Sequence, residues 1–181
     1  MIPVVNAIVD IQPQALSLRS RGRWFTAYIE LPEGYNVRDV DVSAIMINGS
    51  ILIDFDAPVA IGDYDENGIE DLMVRFNRTL VVGYILSQGI MFGNVTLTLT
   101  GELYDGTMFE GKAIINVSSL LGDVNCDDIV DIYNIVHAAS SFDSKEGDLD
   151  WNPNANFAFP WDLIDIFDLV TIALNYGKTY P

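Results

Sequence analysis

Cysteine, histidine and positive charge are scarce in this chain of 181 residues. The single cysteine, Cys126, excludes an internal disulfide. One histidine, His137, beside one cysteine leaves little for Ser/His/Asp or Cys/His catalysis, or for a zinc site built on nitrogen and sulfur. There are 9 Lys and Arg against 26 Asp and Glu, a formal net charge of -17. Such a surface repels nucleic acid and anionic membranes, and it attracts cations. No glycine-rich phosphate loop is present. The most apolar run, Thr79 to Gly93, is broken by Ser87-Gln88-Gly89. It is too short to span a bilayer, which takes about 20 apolar residues. The start, "MIPVVNAIVDIQP", has no basic stretch followed by a long apolar one. It reads either as a cytoplasmic start or as the end left by a trimmed signal.

Half of the residues are hydrophobic, enough for a core in one domain or two small ones. Residues 1–118 read as β. "RWFTAYIEL" (Arg23–Leu31) alternates Trp24, Thr26 and Tyr28 against Phe25, Ala27 and Ile29. "NVTLTLTGEL" (Asn94–Leu103) sets Val95, Leu97 and Leu99 against threonines on a wet face. "DLMVRF" and "GKAIINV" are similar. Turn chemistry stands at Pro32-Glu33-Gly34, Asn48-Gly49 and Asp105-Gly106. Short strands joined this way predict an Ig-like β-sandwich. "RTLVVGYIL" (Arg78–Leu86) fits one short helix.

From 119 to 181 the pattern changes to helical spacing. Ile132, Ile135, Val136 and Ala139 fall on one face, as do Ile166, Leu169, Val170 and Ala173, with Gly177 as a C-cap. Asp131 to Phe142 superposes on Asp165 to Tyr176, so a loop-helix unit is duplicated. Repeat one covers 122–142, a Pro/Asn/Gly-rich connector 143–156, and a degenerate repeat two 157–177.

Two stretches carry side-chain oxygens at the same spacing. "DYDENGIED" offers Asp63, Asp65, Asn67 and Asp71 at positions one, three, five and nine, with the Ile69 carbonyl at seven. "DVNCDDIVD" offers Asp123, Asn125, Asp127 and Asp131 in the same places, with the Ile129 carbonyl and, at position twelve, Asn134. Alternate side chains of a tight loop converge, and calcium takes six to eight oxygens at about 2.3–2.6 Å. Two calcium sites are therefore expected, with the apolar side chain of position seven anchored in the core. The first loop has Gly68 at position six but Val74 at twelve, so a further ligand must come from elsewhere, with Asp54 and Asp56 as candidates. The second has Asp128 at six and an uncharged residue at twelve, which predicts weaker binding. Repeat two has no such series. It is expected to bind no calcium and to pack through Phe157, Phe159 and Trp161. The alternative is a longer loop using Asn156, Asp162 and Asp165.

"GDVNCDDIVDIYNIVHAA…SKEGDLDWNPNA…DLIDIFDLVTIALNYG" (Gly122 to Gly177) resembles the dockerin fold of archaeal and some bacterial secreted proteins. That family has two calcium loop-helix repeats, often joined by a stretch like "GDLDWNPNA". Position twelve of repeat one and most of the second loop depart from its pattern. The N-terminal part looks like a β-sandwich module found beside such dockerins in archaeal surface proteins. The resemblance implies calcium-dependent docking to a cohesin-like partner, with positions ten and eleven of each loop contributing to partner choice. Here these are Ile132-Tyr133 and Ile166-Phe167, with the isoleucines expected to face inward and the aromatic residues toward the partner. Sequons at Asn48, Asn77, Asn94 and Asn116 also lean toward the cell exterior or cell surface. The expected function is a non-catalytic extracellular interaction module. The other reading is a self-assembling subunit of a surface layer or filament, with "IPVVNAIVDI" donated to a copy of the chain. A two-carboxylate glycosidase is disfavoured, because acids this abundant prove nothing by their presence.

Overall fold

In a strand successive side chains face opposite ways, so a segment with every second residue apolar must bury one face. The computed structural model describes residues 4–180, and those residues form ten strands and three α-helices. The strands are β1 (Val4–Asn6), β2 (Ile8–Gln12), β3 (Ala15–Ser17), β4 (Trp24–Glu30), β5 (Val40–Ile47), β6 (Ile51–Leu52), β7 (Ala60–Gly62), β8 (Asp71–Asn77), β9 (Phe92–Leu103) and β10 (Met108–Ser118). The helices are α1 (Arg78–Ser87), α2 (Ile132–Ser140) and α3 (Ile166–Leu174). The protein is mainly β, with two sheets. One, six-stranded, runs β1-β10-β9-β5-β6, with β3 also paired to β10, and the other runs β2-β4-β8-β7.

Alternation works as the sequence predicts. Phe25, Ala27 and Ile29 of β4 are buried, as are Val95, Leu97 and Leu99 of β9, while Thr96 is exposed. The Asn48-Gly49 turn has positive φ at both residues, 48° and 66°, where asparagine and glycine are tolerated best. α1 begins directly after β8. The Asn77 side chain accepts the Thr79 N–H at 3.0 Å there, and Val81 and Ile85, one turn apart, are buried.

The N-terminal segment is spent within the chain's own sheets. β1 pairs parallel to β10, with Val4 opposite Met108, and β2 pairs antiparallel to β4, with Ile8 opposite Glu30.

The chain divides into two compact units. The first takes the chain up to Pro13, Phe25–Val81 and Thr96–Ile115; the second takes Gln14–Trp24, Val82–Val95 and the chain from Asn116 onward. The second is thus larger than the 119–181 read from sequence. Its extra segments are hydrogen-bonded into it. Asn154 accepts the Ser17 N–H at 3.0 Å and donates to the Ala15 carbonyl at 2.6 Å. The Arg21 N–H donates to the Asn156 carbonyl at 2.8 Å. A Cβ on Gly22 would lie 2.4 Å from Pro153 Cβ, so this close approach requires glycine.

The core of the second unit joins Val124, Val130, Ala138, Ala155, Phe157, Ile164 and Ile172, with Ile135 and Leu169 packed against it. This corrects the expected helix faces. Ile135 and Leu169 do face inward, but Ile132, Val136, Ala139, Ile166, Val170 and Ala173 are exposed. The inward line is instead Asn134 and Ala138 on α2, and Asp168 and Ile172 on α3, all buried. Asn134 and Asp168 must reach back into their loops, and that turns each helix so that residues four apart from them point inward. The helical caps differ from expectation too. α3 is capped by Asn175, and Gly177 lies two residues beyond, at φ 80°, with its N–H on the Val130 carbonyl at 2.8 Å.

Candidate metal centres

The two oxygen-rich loops adopt the same backbone. Position four is left-handed in both, Glu66 at φ 60° and Cys126 at φ 56°, and so is position six, Gly68 at 90° and Asp128 at 69°. In both, the N–H of position six donates to the position-one carboxylate: Gly68 to Asp63 at 2.9 Å, and Asp128 to Asp123 at 3.0 Å. In both, the N–H of position seven donates to the side-chain oxygen of position five: Ile69 to Asn67 at 2.7 Å, and Ile129 to Asp127 at 3.1 Å. A strand follows one loop and a helix the other, so this geometry comes from the loop residues themselves.

In the first loop Asp63, Asp65 and Asp71 each bring a carboxylate oxygen within 4.8 Å of the others. Asp71 also accepts the Tyr64 N–H at 2.9 Å, which closes position nine on position two. A buried acid that the sequence reading did not single out, Glu30 at the end of β4, lies beside this loop. It is only 5% exposed, and its carboxylate meets the Asn67 side-chain amide at 2.5 Å. Its one sequence signal is an acid between Ile29 and Leu31 in a strand with a buried face. The two candidates read from sequence, Asp54 and Asp56, are bonded to each other, the Asp56 N–H donating to the Asp54 carboxylate at 3.0 Å. Beside the loop lies a cavity of about 240 Å³, lined by Tyr28, Tyr64, Asp10, Glu30, Asp65 and Asp71 among others. The two tyrosine rings pack with centroids 4.7 Å apart. Burial raises the Asp71 carboxyl above its ordinary range, the Tyr64 N–H opposes this, and the charges of Asp65, Glu30 and Asp63 add to the rise.

In the second loop Asp123 is fully buried, and burial likewise lifts its pKa against hydrogen bonds from Ser118 and Asp128. Asn125 Nδ2 donates to Asp127 at 2.8 Å, while Asn125 Oδ1 is buried with no hydrogen-bond partner among the described residues. Asp131 is the N-cap of α2, accepting the Tyr133 N–H at 2.8 Å. Asn134 pins the loop: its oxygen accepts from Val124 at 2.6 Å, and its amide donates to the Ile129 carbonyl at 2.8 Å. Both groups read as ligands, the Asn134 oxygen and the Ile129 carbonyl, thus hold hydrogen bonds inside the loop. Ile69 and Ile129 are also exposed rather than anchored in the core. In the second loop the anchor is the next residue, Val130.

Repeat two closes by itself. Asp168 accepts the N–H groups of Phe157 at 2.7 Å, Ala158 at 2.8 Å and Asp165 at 2.9 Å, and is fully buried. By this pattern Asn156 stands where Asp123 stands in repeat one. Its amide donates to the Trp161 carbonyl, a bond made by a side chain where repeat one presents a carboxylate. Phe157 enters the core as expected, but Phe159 and Trp161 are both exposed, their rings meeting edge-on, with Arg21 over the Trp161 ring.

The four residues read as partner contacts are all on the surface. Ile132 and Tyr133 are 52% and 62% exposed, and Ile166 and Phe167 are 55% and 61% exposed. The expectation that the isoleucines turn inward is corrected, since Asn134 and Asp168 hold the inward positions. No helix among the described residues is long and apolar enough to cross a membrane.

No family model matches the chain, and none of the curated proteins matches it. Among solved structures, a GspB Siglec domain aligns over 64% of this chain at 11% identity and a TM-score of 0.32. The alignment covers 59% of that domain, under two thirds of its length. A likeness at that level carries no argument about this chain.

Proposed function

We propose that this chain is a non-catalytic extracellular module that binds calcium and docks on a cohesin-like partner protein. In this reading an Ig-like sandwich carries a dockerin-like helical pair. The observation that carries it is the matched exposure of Ile132-Tyr133 and Ile166-Phe167, each pair directly after an aspartate N-cap. Apolar pairs of this kind, half or more exposed on two helices of one unit, are costly to leave in water and serve as anchors in an interface. The donors in both loops are oxygens, the set that suits a hard cation such as calcium. Asp63, Asp65, Asp71 and Glu30 would hold it in the first loop, and Asp123, Asn125 and Asp127 in the second. Bound calcium would neutralise carboxylates that otherwise repel one another, and so fix the loop that sets the start of α2.

The test pairs Asp123→Ala with Asp127→Ala and, separately, Tyr133→Ala with Phe167→Ala, against a panel of cohesin-type domains. The first pair should abolish calcium-dependent binding while the sheets stay folded by circular dichroism. The second should abolish binding without changing calcium affinity. Binding that survives both pairs rejects the docking reading. Light scattering in calcium and then in chelator separates the self-assembly reading, which requires large assemblies that form only with the metal.

A further inference from the structure

The four sequons are not equivalent once folded. We propose that Asn94 is an N-glycan acceptor and that Asn116 is not. A glycan is bulky and solvated, so its asparagine must keep Nδ2 turned to water. At the start of β9, Asn94 and Thr96 are both exposed, and Val95 between them is buried. The period of the strand thus sets the asparagine and its required hydroxyl side by side on the wet face.

Asn116 is placed otherwise. Its Nδ2 donates to the Cys126 carbonyl at 2.5 Å, at position four of the second loop. A sugar on that nitrogen would displace the loop. Asn48 and Asn77 are half-buried, and their oxygens accept the N–H groups of Thr98 at 2.8 Å and Thr79 at 3.0 Å. They hold a turn and a helix start.

The donor is an oligosaccharide carried on a polyprenyl diphosphate. The bond from sugar C1 to the diphosphate oxygen breaks, and its electron pair leaves with the diphosphate. A bond from C1 to Asn94 Nδ2 forms, and one amide proton passes to the base of the transferase.

Folded protein in calcium would be treated with a single-subunit oligosaccharyltransferase and this donor, with the enzyme's standard acceptor peptide in the same reaction. Intact mass should show glycan added, and glycopeptide mapping should place it on Asn94. Asn94→Gln should lose that glycan, and so should Thr96→Ala, which keeps the asparagine. An unmodified Asn94 beside a modified control peptide would overturn the proposal, as would a glycan on Asn116 of the folded protein. The readout needs neither metal binding nor a docking partner, so its failure leaves the docking reading standing.

Discussion

Asn67, in the first oxygen-rich loop, donates its side-chain amide to the carboxylate of Glu30, 37 residues earlier in the chain, at 2.5 Å. A loop that has Val74 where a last acidic ligand would stand is thereby tied to a buried acid on a neighbouring strand. Glu30→Gln should therefore weaken calcium binding to the first loop about tenfold, roughly 1.4 kcal/mol. Asp54→Asn should leave it unchanged. Isothermal titration of the two variants decides, and equal affinities would remove Glu30 from the site.

The buried carboxyls predict a pH dependence for the metal-free protein. Asp71 and Asp123 are both raised, chiefly by burial. A carboxyl whose folded pKa lies above its unfolded pKa binds more protons when folded, so stability falls as pH rises through that interval. In chelator, Tm should be higher at mildly acidic pH than at neutral pH. In excess calcium the order should reverse, because the ligand is the ionised form. A metal-free Tm that climbs toward neutrality would contradict this assignment.

Asn134→Asp should trade stability for affinity. The substitution removes the donor that holds the Ile129 carbonyl, and it adds a charge beside Asp131. The metal-free protein should lose about 1–3 kcal/mol, the usual cost of a lost buried hydrogen bond. Calcium should bind the second loop more tightly, since the Ile129 carbonyl is freed and a carboxylate is gained. Chemical denaturation in chelator and calcium titration measure the two effects separately.

Residues 119–181 expressed alone should not fold. The end of the 143–156 connector is held by Ala15 and Ser17 through Asn154, by Arg21 through the Asn156 carbonyl, and by the close approach of Gly22 to Pro153. Circular dichroism in calcium should show far less helix than α2 and α3 contribute in the whole chain. In the intact chain Asn154→Ala should cost several kcal/mol, because it strands a buried donor and an acceptor on β3. A helical, cooperatively melting fragment would disprove this.

The sequence by itself determined the strands with strict alternation, such as β4 and β9, and both oxygen-rich loops. Those loops are local objects, whose left-handed residues and N–H-to-carboxylate bonds all lie within nine consecutive positions. It also fixed the two helices, because each carries its own aspartate cap. Only the tertiary structure decided which side of each helix faces in. The pattern of apolar residues favoured Ile132 and Ile166, but the buried hydrogen bonds of Asn134 and Asp168 to backbone ten and eleven residues upstream outweigh it. Only the tertiary structure brought Glu30 to the first loop, and segments 14–24 and 82–95 into the second unit. Such contacts join residues distant in sequence, and local spacing holds no record of them. They form because buried polar groups must find partners wherever the fold supplies them.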